Sequence, residues 1–106
     1  MTRRLPLLVA ALALGAVVYA LAGRPAEQSE VGVVVAVDSR GLADVRGFSI
    51  RTDDARTLTF RIDALENGAE FPPGHLLEHQ ATSERVRVSY RVDGDELVAF
   101  RIEDAP

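Results

Sequence analysis

The chain predicts an all-β fold, a small barrel of five strands with a short helix between the third and fourth. One N-terminal transmembrane or signal helix precedes it. Three observations carry this. Period-two alternation recurs in five short runs between residues 31 and 104. Turn signals separate the runs, and the one long interruption, residues 63–83, leaves room for two helical turns at most. Ahead of them lies an unbroken uncharged run from Leu5 to Ala22, preceded directly by Arg3 and Arg4.

The leader holds six Leu, three Val and six Ala over 18 residues. As a helix it would reach about 27 Å, just short of a hydrocarbon core of roughly 30 Å. Its length fits an uncleaved anchor, as does Tyr19 near the outer interface. The small-x-small triplet Ala20-Leu21-Ala22 fits a cleaved signal instead. Both readings place Arg3 and Arg4 in the cytoplasm and everything from Gly23 onward outside it. The expectation is a single-pass membrane protein with an external C-terminal domain, or a secreted or periplasmic one after cleavage at Ala22. Residues 23–30 are polar, contain Pro25, and read as a linker.

The first strand is expected over Val31–Val37. Val31, Val33, Val35 and Val37 share one face, while Gly32, Val34 and Ala36 make the other face apolar too. A strand buried on both sides suits one that bends through two halves of a barrel, and Gly32 would ease the bend. Ser39-Arg40-Gly41 turns the chain into a second run, about Asp44–Thr52, with Phe48 and Ile50 on one face. Asp53-Asp54-Ala55 makes a hairpin loop, and Arg56–Ile62 then alternates with Leu58, Phe60 and Ile62 inward. Asn67-Gly68 and Pro72-Pro73-Gly74 signal turns, and the short helix falls at His75–Ala81. Arg85–Val92 places Val86, Val88, Tyr90 and Val92 on one face. Asp93-Gly94-Asp95 is a tight hairpin, and Glu96–Ile102 closes the domain with Val98, Phe100 and Ile102 inward. This parity puts Leu97 and Ala99 outside, as a contact edge or beneath residues 66–73. Five strands with a helical plug after the third is the plan of the OB-fold, a Greek-key barrel. Closure would also hide the sheet edges of a domain that has no disulfide.

Composition limits the function. Beyond Ala22 there are 84 residues, enough for one small domain over 31–104. That part carries ten Arg and sixteen acids, a net charge of −6, which argues against nucleic acid and anionic lipid as partners. There is no cysteine, so thiol catalysis and thiolate metal sites are excluded.

The chain resembles the small exported OB-fold proteins of bacteria, many of them uncharacterised. The likeness rests on the leader, an opening strand Gly32-Val33-Val34-Val35-Ala36-Val37-Asp38, and the closing pair from Val86 to Ile102. It spans roughly residues 31–104 and is one of pattern. The layout is also similar to the cytochrome c maturation haem chaperones, membrane-anchored OB domains of the periplasm. That family attaches haem through a histidine near the C-terminal end of the barrel, followed by a tyrosine. This chain has neither after Tyr90 and ends Glu103-Asp104-Ala105-Pro106, so covalent haem attachment does not carry over.

Three sets of candidate site residues remain. His75-Leu76-Leu77-Glu78-His79 places two imidazoles one helical turn apart, the spacing for a shared metal or a haem. It matches the H-x-x-E-H string of inverted zinc proteases, but only 27 residues follow and they read as strand, so no hydrolase is expected. The alternative is an amphipathic plug with Leu76 and Leu77 on the barrel and the histidines and Glu78 in water. Arg61, Arg87, Arg91 and Arg101 fall on outward parity, placed to hold carboxylates of a partner or to form cross-strand ion pairs. Leu97 marks a possible contact edge beside them. Phe48, Phe60, Tyr90 and Phe100 fall on inward parity and read as core. The sequence thus predicts a non-enzymatic envelope module without a cofactor, whose partner is another envelope protein. Handling of haem or a divalent metal at His75 and His79 is the alternative.

Overall fold

The computed structural model describes residues 27–106, so the leader and residues 23–26 of the expected linker lie outside it. Five strands, β1 (Gln28–Ser39), β2 (Val45–Thr52), β3 (Thr57–Ile62), β4 (Arg85–Asp93) and β5 (Glu96–Asp104), form a closed barrel in the order β1-β2-β3-β5-β4. One helix, α1 (His75–Thr82), lies between β3 and β4. Among the described residues no helix is long and apolar enough to cross a membrane.

β1 begins at Gln28, three residues before the alternation at Val31 announces it. Its first half pairs with β4 and its second half with β2, and Gly32 and Val33 pair with both. A Cβ on Gly32 would lie 2.5 Å from the Arg51 carbonyl oxygen, so only glycine lets the strand bend this closely over β2. The register shifts between Val34 and Ala36, leaving Val35 as a bulge that is 44 % exposed. The core therefore takes Val34 and then Val37 from β1, not one continuous parity.

Phe48, Ile50, Phe60, Val86, Val88, Tyr90 and Ile102 fill the barrel as their alternation predicts. The Phe60 ring lies 5.3 Å from that of Phe48 and 5.0 Å from that of Tyr90. Each such buried side chain contributes about 1.5–3 kcal/mol through removal from water.

β5 departs from its predicted parity. Opposite β4, Ser89 pairs with Arg101 but Tyr90 pairs with Ala99, so Phe100 is an extra residue. The bulge turns Ala99 inward to full burial, and Leu97 packs partly against the core. Phe100 is turned out of the barrel core yet stays buried, under the Arg91 guanidinium at 4.7 Å from the ring centroid. The expectations of an inward Phe100 and an outward Ala99 are both reversed by this one residue, while Leu97 is half-buried at the edge of the core. Val92, also expected inward, is 51 % exposed near the β4–β5 hairpin.

β3 pairs with β5 in parallel over Phe60–Ile62 and Leu97–Ala99 only. Where β3 ends, residues 66–67 take over the edge of β5. The Glu66 amide donates to the Phe100 carbonyl at 2.8 Å. The buried Asn67 side chain donates to the Ile102 carbonyl at 2.6 Å and accepts from the Ile102 amide at 3.3 Å. An asparagine read as a turn residue thus serves as a substitute strand neighbour and leaves no orphan backbone group on β5 there. At the β2–β3 hairpin, Arg56 bonds Asp54 at 2.7 Å and reaches back to Glu30 of β1 at 3.1 Å.

Candidate functional site

The helix α1 closes one end of the barrel with Leu76 fully buried and Leu77 half-buried. His79, one turn on from His75, is only 1 % exposed rather than facing water. The reason is its partners. Its Nδ1 lies 3.0 Å from the Glu84 carbonyl oxygen, and its Nε2 lies 2.7 Å from Oδ1 of Asp104 at the end of β5. His75 faces the same carboxylate, with Nε2 3.8 Å from Asp104 Oδ1. Its Nδ1 lies 2.7 Å from the Glu78 carboxylate, one helical turn away. The imidazole centroids are 4.9 Å apart, and Phe71 flanks both, at 4.9 Å from His75 and 5.7 Å from His79.

The sequence pairs the two histidines by spacing alone. It gives no sign of Asp104, which reaches them because β5 runs on past Ile102 and Asp104 pairs with Val86 of β4. The Ala105 amide bonded to the Arg85 carbonyl at 2.9 Å fixes the chain just beyond it. Phe71 was equally hidden, being an isolated aromatic in a segment with no periodicity. Together His75, His79 and Asp104 offer three ligand atoms within 4.8 Å of one another.

The arginines do not form one free cationic set. Arg87, Arg91 and Arg101 share the β4–β5 face, since Arg101 pairs with Ser89 between the other two. Arg101 is engaged by Glu103 and Glu66, whose carboxylates push its guanidinium above its ordinary range. Arg91 covers Phe100, and Arg87 is exposed. Arg61 stands apart on β3. It meets three acids, Asp63 at 2.6 Å, Glu96 at 2.7 Å and Asp93 at 3.5 Å.

Arg61 and Leu97 instead border an open groove of ≈ 470 Å³ across the outer faces of β1, β2, β3 and β5. Small side chains make its floor: Ala36 pairs with Ser49, and the Ser49 and Thr59 hydroxyls bond at 2.8 Å. Gly47 also lines it and lets β2 approach β3 closely, since a Cβ there would lie 2.6 Å from the Phe60 carbonyl oxygen. Asp38, Asp95 and Glu96 outnumber Arg46 and Arg61 around the rim. The sequence hides this groove because it assembles from four strands, none of which carries a distinctive string. No protein-family model matches the chain, and no curated protein matches it.

Proposed function

We propose that the protein is a non-enzymatic binding module of the bacterial cell envelope, an OB-like barrel carried outside the cytoplasm by the leader at residues 5–22. The OB-like reading is supported by the closed strand order, the parallel β3–β5 contact and the helix at the barrel end. Its partner is another envelope protein, which lays an extended segment with basic side chains into the groove. The observation that carries this is the groove itself. It has a floor of small residues, Leu97 as an apolar contact, and a rim with more carboxylates than arginines. It lies over the strand 2–3 face and beside the β4–β5 loop, where OB barrels hold their ligands, and its acidic rim disfavours nucleic acid. Arg61 lies beside one of these carboxylates, Glu96, at 2.7 Å and pairs with Asp63 just outside the groove at 2.6 Å.

Photo-crosslinking of the full-length chain in native membranes tests the reading. A crosslinker at Ser49 or Thr59 is expected to capture one envelope protein. Ser49→Trp, which fills the groove, is expected to abolish capture and leave the melting temperature unchanged. Capture from Arg87 on the other face, with none from Ser49 or Thr59, would overturn it. A second reading, handling of haem or a metal, is favoured by the convergence of both imidazoles on Asp104.

A further inference from the structure

We infer that His75, His79 and Asp104 bind one divalent ion of the zinc class, clasping α1 to the last strand. This deepens the second reading and is independent of the groove. Both Nε2 atoms point at one carboxylate oxygen, at 3.8 Å from His75 and 2.7 Å from His79. Both Nδ1 atoms are held by oxygens, the Glu78 carboxylate at 2.7 Å and the Glu84 carbonyl at 3.0 Å. That is the outer bonding of metal-ligating histidines, in which the Nδ1–H donates to an oxygen and turns the Nε2 lone pair toward the ion.

Each Nε2 faces the Asp104 carboxylate, so a cation held there would lie between two imidazole nitrogens and a carboxylate oxygen. The donor set selects the metal. Two imidazoles and a carboxylate suit zinc and its first-row neighbours, whereas calcium and magnesium ask for oxygen alone. A tetrahedral zinc site needs ligand atoms about 3.3 Å apart, given zinc–nitrogen bonds of ~2.0–2.1 Å. The three present atoms lie within 4.8 Å, so a small rotation of the half-exposed His75 closes the site. His79 is fixed by burial and by Phe71, which walls one side, while the exposed Asp104 leaves the other side open for a water as fourth ligand.

The test is calorimetric titration of the chelator-treated, full-length chain with Zn²⁺, repeated with Co²⁺ to read coordination from the visible spectrum. One equivalent is expected, with the intense absorption of four-coordinate cobalt. His75→Ala and Asp104→Asn, both at sites that reach solvent, should weaken binding at least ~100-fold, and Glu78→Gln about 10-fold. Zn²⁺ should raise the melting temperature of the parent chain and not that of Asp104→Asn. Circular dichroism of each variant without metal confirms that it is folded. Absence of Zn²⁺ and Co²⁺ binding to the parent chain, or binding that survives both ligand substitutions, would overturn the inference.

Discussion

The helical pole and the groove belong to one barrel but hold their polar groups by opposite means. At the pole, His79 is 1 % exposed, with both ring nitrogens bonded to oxygens and a phenyl ring against it. At the groove's edge, the Arg61 side chain is 41 % exposed and lies near three exposed acids, of which Glu96 lines the groove. Buried, fully bonded groups resist rearrangement and are arranged in advance for a small ligand. Exposed pairs contribute roughly 0–1 kcal/mol each and exchange partners freely. The pole is therefore suited to an ion, and the groove to a polypeptide that brings its own contacts.

The sharpest way to break this comparison is through stability. Leu76→Ala removes a fully buried plug beneath the histidines and should cost about 2–5 kcal/mol. Ser49→Ala in the groove floor should cost no more than about 0.5 kcal/mol, as expected of a surface substitution. Urea denaturation of both variants reads the difference. Similar losses would mean that the groove is as much a part of the folding unit as the pole.

A finer test lies on β5, where one strand meets both kinds of polar group. Asn67 bonds both backbone groups of Ile102 from a buried position, and its truncation to Ala should cost about 1–3 kcal/mol. Arg101, on the neighbouring residue, has two exposed carboxylate partners, and Arg101→Ala should cost less than about 1 kcal/mol. Hydrogen exchange at the Ile102 amide should quicken in the first variant and not in the second. Equal protection in both would show that Asn67 is dispensable for closing the β5 edge.

The same contrast explains what the sequence could announce. Five strands and a two-turn helix were legible because alternation and turn residues are local signals. The histidine pair was legible because helical spacing is local too. Asp104 was not, since it lies 25 residues from His79 and meets it only through the pairing of β5 with β4. The parity of β5 failed for a different reason. A bulge adds one residue without altering the composition of the strand, so Val98 and Phe100 fit the inward pattern as well as Leu97 and Ala99 do. Only the pairing of Tyr90 with Ala99 separates the two. Val35 misleads in the same way on β1. The groove depends on both bulged strands, and so was the least legible part of all.

The smallest expected effect concerns an exposed cluster of the groove's kind, at the β2–β3 hairpin. Asp54 accepts bonds from the Arg56 guanidinium at 2.7 Å and from the Thr52 hydroxyl. Arg56, first, and then Thr52 hold its carboxyl below the ordinary aspartate value of 3.8, and some loss of hydration opposes them. A carboxyl whose folded value is depressed adds stability that is present above its unfolded value. That stability is lost as pH falls through the folded value, because protonation there removes the negative charge Arg56 holds. NMR titration of the Asp54 carboxyl carbon should therefore give a midpoint below 3.8. Arg56→Gln should move the midpoint upward, toward that ordinary value. The charge is exposed, so the melting temperature should change little between pH 7 and pH 5 in either chain, and the small advantage of the parent over Arg56→Gln should vanish at more acid pH. A midpoint at the ordinary value in the parent chain would show that Arg56 spends its time on Glu30 instead, which it also bonds at 3.1 Å. The exposed pairs would then exchange more freely even than the groove requires.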